Sequence, residues 1–255
     1  MPAMDEFKAQ REAIKNKSFK EKLNYYWYYY KIHVVVAIFA IILVITTIHD
    51  IVTHKDIAFY VAFLNSFDTE HDQEFIDEFS LLTDIDTDEY DIYLDTNMYF
   101  NVADYDQASM AAMQKFLAMS SSGEIDVVIA DRNVYSSYAD NGFFRNLNEY
   151  LTEEQLAKYA DHFYYYDEGT LDDEIDYEAV YNSEFAIPDD TSERRDPSLL
   201  EKPVPVGIFL DDDMKSKLTE LGYYSESQEI IFGFMGKDDT IVYCQQFLDW
   251  LVATE

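Results

Sequence analysis

The feature that most constrains this chain is an uncharged run from residue 32 to residue 49, IHVVVAIFAIILVITTIH, held between Lys31 and Asp50. A helix over 28–48 spans about 31 Å, matching a bilayer hydrocarbon core of about 30 Å. The run lacks the polar positions every three or four residues that a helix buried in a soluble core shows. It is also longer than the apolar part of a signal peptide, and Thr46-Thr47-Ile48-His49-Asp50 offers no small-residue cleavage site. The expectation is an uncleaved single transmembrane helix over 32–52. The aromatic cluster Tyr25-Tyr26-Trp27-Tyr28-Tyr29-Tyr30 lies just ahead of it, as membrane-interface belts do.

Charge then sets a direction. Residues 1–31 carry seven basic side chains against four acidic ones, a net of +3, whereas the remainder carries eleven against 47, a net of −36, which together make −33. The positive-inside rule places the basic tail, 1–31, in the cytoplasm and the acidic part, 56–255, outside the cell. A surface that negative repels phosphate backbones, so nucleic acid is not expected as a partner. The partners expected are the membrane itself, a membrane protein or transporter, and a small-molecule, sugar or peptide ligand. The single cysteine, Cys244, excludes an intrachain disulfide. It shares a helical face with Phe247, Leu248 and Leu251, which suits a small buried hydrophobe.

Within 56–255, apolar runs of strand length alternate with helical periodicity. Strands are predicted over 57–64 (IAFYVAFL), 125–129, 206–210 and 230–234, with a half-exposed edge strand over 92–100 and a further strand over 179–187. Helices are predicted over 69–82, over 104–119 with Asp104 as cap and a stripe of Tyr105, Ala108, Ala112 and Phe116, over 132–138, from Thr152 with a capping box to Gln155, near 214–221 and over 240–252. This alternation implies an α/β domain with a mainly parallel sheet and helices on both faces.

The stretch 123–151, GEIDVVIADRNVYSSYADNGFFRNLNEYL, resembles the extracellular solute-binding proteins of bacterial ABC importers, which have the type II periplasmic-binding fold. The residues that carry the likeness are Gly123, Asp126, Val127, Asp131, Gly142-Phe143 and Leu147. Phe185-Ala186-Ile187-Pro188 is similar to the strand that leaves the first lobe of that family, and 206–251 to the return into it. Only about 18 residues separate Pro188 from Val206, where the family holds a whole second lobe. The resemblance therefore implies one lobe carried on a transmembrane helix, and a non-enzymatic binding or scaffolding module at a bacterial cell surface. Ligand capture for an importer is the alternative within that family, and a carboxylate-dependent surface hydrolase the alternative from another class.

No catalytic, cofactor or metal site is expected. Asp84, Asp86, Asp88, Tyr90 and Asp95 match the ligand spacing of a calcium loop, but Glu89 stands where the turn needs glycine, so a solvated acidic turn is predicted. Asp211-Asp212-Asp213 suit a helix cap, Asp172-Asp173-Glu174 show no ligand spacing, and the 22 tyrosines are expected mainly to complete the core. Ligands of open parallel sheets sit beyond the carboxyl ends of the strands. The candidate ligand-binding residues are accordingly Asn65, Ser66 and Asp68 after the first strand, and Asp131, Arg132 and Tyr135 after IDVVI. For Arg132, pairing with a neighbouring acid is expected.

Overall fold

The computed structural model describes residues 18–67, 69–100, 107–168 and 192–253, apart from the side chains of Tyr25, Tyr26 and Tyr29. The predicted strand over 179–187, the Phe185–Pro188 motif, the acidic run Asp172-Asp173-Glu174, Asp68, and the helix cap Asp104 with Tyr105 fall outside these residues. The chain divides into two compact units, Met1–Lys55 and Asp56–Glu255.

Among the described residues the first unit holds the helix α1 (Phe19–Thr53). Ser18 opens it with a capping box: Glu21 N donates to Ser18 Oγ at 3.4 Å, and Ser18 N donates to Glu21 Oε2 at 3.0 Å. The stretch Tyr30–Thr53 is long and apolar enough to cross a membrane. Its hydroxyls turn back onto the helix, Thr46 and Thr47 donating to Leu43 O at 3.0 and 2.8 Å and Thr53 to His49 O at 2.7 Å. That arrangement satisfies each hydroxyl without water.

The second unit is α/β, with one six-stranded sheet of order β2-β1-β3-β6-β5-β4. In chain order the elements are β1 (Asp56–Leu64), α2 (Asp72–Ser80), β2 (Tyr90–Met98), α3 (Gln107–Ser122), β3 (Val127–Asp131), α4 (Arg132–Ala139), α5 (Leu147–Tyr150), α6 (Glu153–Tyr159), β4 (Phe163–Asp167), β5 (Pro203–Leu210), α7 (Ser216–Glu220), β6 (Ile230–Phe234) and α8 (Ile241–Leu251). Short 3₁₀ turns at Ser192–Arg195 and Pro197–Leu199 precede β5.

The sheet is mixed, not mainly parallel. β2 and β3 flank β1 in parallel, whereas β3–β6, β6–β5 and β5–β4 are antiparallel pairs. A parallel return needs a crossover that runs back along the whole strand. The sixteen-residue α3 provides one between β2 and β3. The five-residue α7 between β5 and β6 covers only about 7.5 Å, so the chain comes back antiparallel beside β5.

Two apolar layers cover the sheet. Against one face α8 buries Cys244, Phe247, Leu248 and Leu251 over Phe59, Phe232 and Phe234, with Phe75 and Phe79 of α2. The other layer holds Phe116 of α3 and Tyr135 and Tyr138 of α4 over Tyr60, Val128 and Ile231. The buried stripe of α3 runs through Ser109, Ala112, Met113, Phe116 and Leu117. It is rotated from the predicted one, for Ala108 is exposed. Cys244 is wholly buried, and burial holds its thiol pKa well above the ordinary value.

The strand β4, FYYYD, has no counterpart among the predicted elements. Its central tyrosines alternate poorly in hydrophobicity, yet Tyr164 and Tyr166 are buried and pair the strand with β5. Tyrosines 60, 135, 138, 159, 164, 223 and 224 rank among the largest fully buried side chains, which makes this core unusually aromatic.

Candidate functional site

Because β1, β2 and β3 are parallel, their carboxyl ends line up, and the antiparallel β6 brings its amino end beside them, pairing Asp131 with Ile230. Asn65 leaves β1 at φ 57°, a left-handed conformation that asparagine tolerates better than most residues. Its backbone N donates to Met98 O at 3.0 Å. Its side-chain Nδ2 donates to Asp131 Oδ2 at 2.8 Å and to Phe100 O at 3.1 Å, while Oδ1 accepts from Phe100 N at 2.6 Å. One side chain thus ties the ends of three strands.

Asp131 uses its other oxygen to cap α4, with Oδ1 accepting from Asn133 N at 3.0 Å and Val134 N at 3.4 Å. Ser66 Oγ lies 3.3 Å from Thr96 O and 3.5 Å from Phe63 O. Beneath them the buried Tyr224 hydroxyl sits 3.0 Å from Leu64 O and 2.9 Å from Ile129 O. Burial, with the Asp131 charge adding to it, holds that phenol in its neutral form.

Arg132 follows Asp131 and pairs as expected. Its N donates to Glu229 O at 2.9 Å, and its guanidinium lies 3.4 Å from Glu229 Oε2. The other oxygen of Glu229 takes Arg195 Nη2 at 2.9 Å, and the Arg195 guanidinium stands 3.4 Å above the Phe209 ring. The neighbouring Arg194 pairs instead with Asp140, the C-cap residue of α4, at 2.7 Å. Two arginines of a strongly acidic unit thus share one carboxylate at this end of the sheet.

The structure therefore brings Asn65, Ser66, Asp131 and Arg132 together, all half-buried. Tyr135 is separated from them. It is fully buried, its ring stacks on Phe144 with centroids 4.1 Å apart, and its hydroxyl donates to Val206 O at 2.7 Å. It lies in a slot between Gly207 of β5 and Gly233 of β6: a Cβ at Gly207 would stand 2.5 Å from the Tyr135 hydroxyl, and one at Gly233 closer still. One turn into α4 points inward onto the sheet, so Tyr135 offers no surface to a ligand.

Glu229, Arg195 and Tyr224 escape reading from sequence order, being 97, 63 and 92 positions from Arg132. The Arg194-Arg195 pair was the available signal, two bases together in a unit that has few.

Two further polar clusters are structural. Asp126, at the opposite end of the sheet, accepts from Tyr60 N at 2.8 Å and Thr240 Oγ1 at 2.6 Å. Burial pushes its carboxyl up to about 6 in spite of those bonds. Asp95, in the strand predicted as half-exposed over 92–100, is fully buried, where Tyr60 Oη donates to it and Lys115 of α3 pairs with it. It is thereby removed from Asp84, Asp86 and Asp88, whose turn is closed by Asp88 N donating to Asp86 Oδ1 at 3.0 Å. Asp211, predicted to cap the following helix, instead closes the turn ahead of it by accepting from Met214 N at 2.9 Å, and α7 starts at Ser216 with no side-chain cap. Among the described residues no group of three or more His, Cys, Asp or Glu side chains is arranged to hold a metal.

Comparison with known protein families, curated proteins and solved structures finds no match.

Proposed function

We propose that this protein is a single-pass membrane-anchored module, related to one lobe of an extracellular solute-binding protein, that binds or scaffolds at a bacterial cell surface without catalysing a reaction. The observation that carries this reading is the apolar stretch Tyr30–Thr53 leading directly into one compact acidic unit, Asp56–Glu255. In this reading residues 1–31 are cytoplasmic and the acidic unit faces outward.

The carboxyl-end cluster supports binding over chemistry. Asn65 and Asp131 direct their polar atoms at each other and at the backbone, leaving neither poised as a base or nucleophile. The Arg132–Glu229–Arg195 arrangement is the part open to exchange, since both guanidinium groups keep solvent access, at 33% and 43% side-chain exposure. A single six-stranded sheet favours scaffolding over capture for an importer, because a ligand gripped on one side only loses the enclosure on which tight binding depends.

The decisive experiment adds protease to intact cells expressing the chain. Degradation of 56–255 with protection of 1–31 is expected, and a mature chain starting near Asp50 in the medium overturns the anchor. A calorimetric screen of sugars, amino acids and short peptides against the full chain in nanodiscs tests the binding half. Affinities of about 10 μM or weaker are expected for an open site; a sub-micromolar solute transfers the reading to the importer.

A further inference from the structure

Glu229 bridges two guanidinium groups whose positions do not depend on it. The Arg195 guanidinium carbon lies 3.4 Å from the ring centroid of the buried Phe209, and Arg132 sets Nε and Nη2 at 3.4 and 3.3 Å from Asn133 Oδ1. Both groups therefore stay aimed at one point whichever carboxylate stands between them, and such preorganisation lowers the cost of binding. A guanidinium holds a carboxylate best at about 2.7–2.9 Å. Glu229 meets that distance on one side only, with Oε1 at 2.9 Å from Arg195 Nη2 and Oε2 at 3.4 Å from Arg132 Nη1.

The tether of Glu229 accounts for the shortfall. Arg132 N donates to Glu229 O at 2.9 Å, and the next residue, Ile230, pairs with Asp131 as β6 begins. The backbone of Glu229 is thus fixed beside Arg132, while its side chain is 46% exposed and can rotate into water without moving the chain. Among the described residues neither arginine pairs with another carboxylate. The nearby Asp131 spends its oxygens on Asn65 and on the first N–H groups of α4. Two cations facing one carboxylate leave an excess of positive charge at this point of an otherwise acidic unit.

We infer that Arg132 and Arg195 form a seat for the carboxylate of a small solute, which Glu229 fills and yields by exchange. The inference rests on the binding reading above and gives that reading a ligand class. An untethered carboxylate can bring an oxygen to full hydrogen-bond distance of each guanidinium, which Glu229 does not. Glu229 in turn lowers the apparent affinity by the fraction of time it holds the seat, so it sets a threshold against weak anions.

The test titrates acetate, with acetamide as its neutral isostere, into the full chain in nanodiscs at matched ionic strength, reading the Nε–H resonances of Arg132 and Arg195. Acetate is expected to shift both and acetamide neither. Glu229→Ala opens a gap the size of acetate and should tighten its binding at least about tenfold, and Glu229→Gln, which keeps the shape without the charge, should act in the same direction. Arg195→Met retains packing on Phe209 and should weaken acetate binding at least about tenfold, in the parent and in the Glu229→Ala chain alike. A parent chain indifferent to acetate would make Glu229 a permanent ion-pair partner and overturn the inference. An equal response to acetamide, no gain in either Glu229 variant, no loss with Arg195→Met, or a preference for inorganic phosphate over acetate would overturn it too. A sugar or peptide bound without the arginines would sink this inference and leave the binding reading standing, whereas loss of the anchor in the protease experiment would do the reverse.

Discussion

The Asn65 amide donates to Asp131 Oδ2 at 2.8 Å, joining the residue that follows β1 to the one that ends β3 and caps α4. Asn65→Ala removes this bond and both bonds to the Phe100 backbone, and leaves a left-handed residue with no side chain to stabilise it. A loss of about 2–3 kcal/mol of folding stability is expected. Asn65→Gly should recover part of it through relief of backbone strain alone. Urea titration of the three proteins measures the order, and an alanine variant as stable as the parent would remove Asn65 from the role assigned to it.

Tyr135 needs the missing side chains of Gly207 and Gly233. Gly233→Ala places a methyl group against both the Tyr135 ring and Phe144. Overpacking of this kind destabilises by about 1–3 kcal/mol or more. Pairing the substitution with Tyr135→Leu, which vacates the hydroxyl end of the slot, should return part of the loss. Additive losses in thermal melts of the double variant would show that the two positions do not share space.

Asp126 titrates near 6 in the folded chain against an ordinary value of 3.8. Desolvation is the largest cause, opposed by the bonds from Thr240 and Tyr60 and by Lys237, with Asp239 adding to the rise. The folded state holds this proton more tightly than the unfolded one, so its contribution to stability is complete below about pH 3.8 and is lost as pH rises through about 6. The size is on the order of 2–3 kcal/mol. Asp126→Asn keeps a neutral group that can still accept from Tyr60 N and turn its amide toward Thr240. Subtracting its stability curve from the parent's isolates the effect among many carboxylates, and a flat difference between pH 4 and 6.5 would refute it.

Lys215 is buried, and its ammonium donates to Glu226 O at 2.6 Å and Gln228 O at 3.1 Å while pairing with Asp212 at 2.9 Å. It therefore braces the loop that presents Glu229 to the two arginines. Lys215→Met keeps the stem and deletes three donors, leaving the Glu226 and Gln228 carbonyls without their ammonium partner at a loss of about 1–3 kcal/mol. The loop should also loosen, read as faster amide exchange at residues 225–229. Unchanged exchange there would confine Lys215 to local packing.

Much of this protein was settled within short windows of its sequence. The apolar run before Asp50, the α/β alternation, the β6 strand at its predicted limits and the Thr152–Gln155 capping box all depend on residues a few positions apart. Such contacts form from local periodicity and capping chemistry, which a linear reading captures. Tertiary structure alone decided the antiparallel turn of β6 against β3, the burial of Asp95 beneath Lys115, the inward seat of Tyr135 and the joining of Arg132 to Arg195 through Glu229. Each joins segments 20 or more residues apart, or depends on which face a distant helix covers, and the free energy that selects them lies in packing and desolvation that neighbours in sequence do not encode.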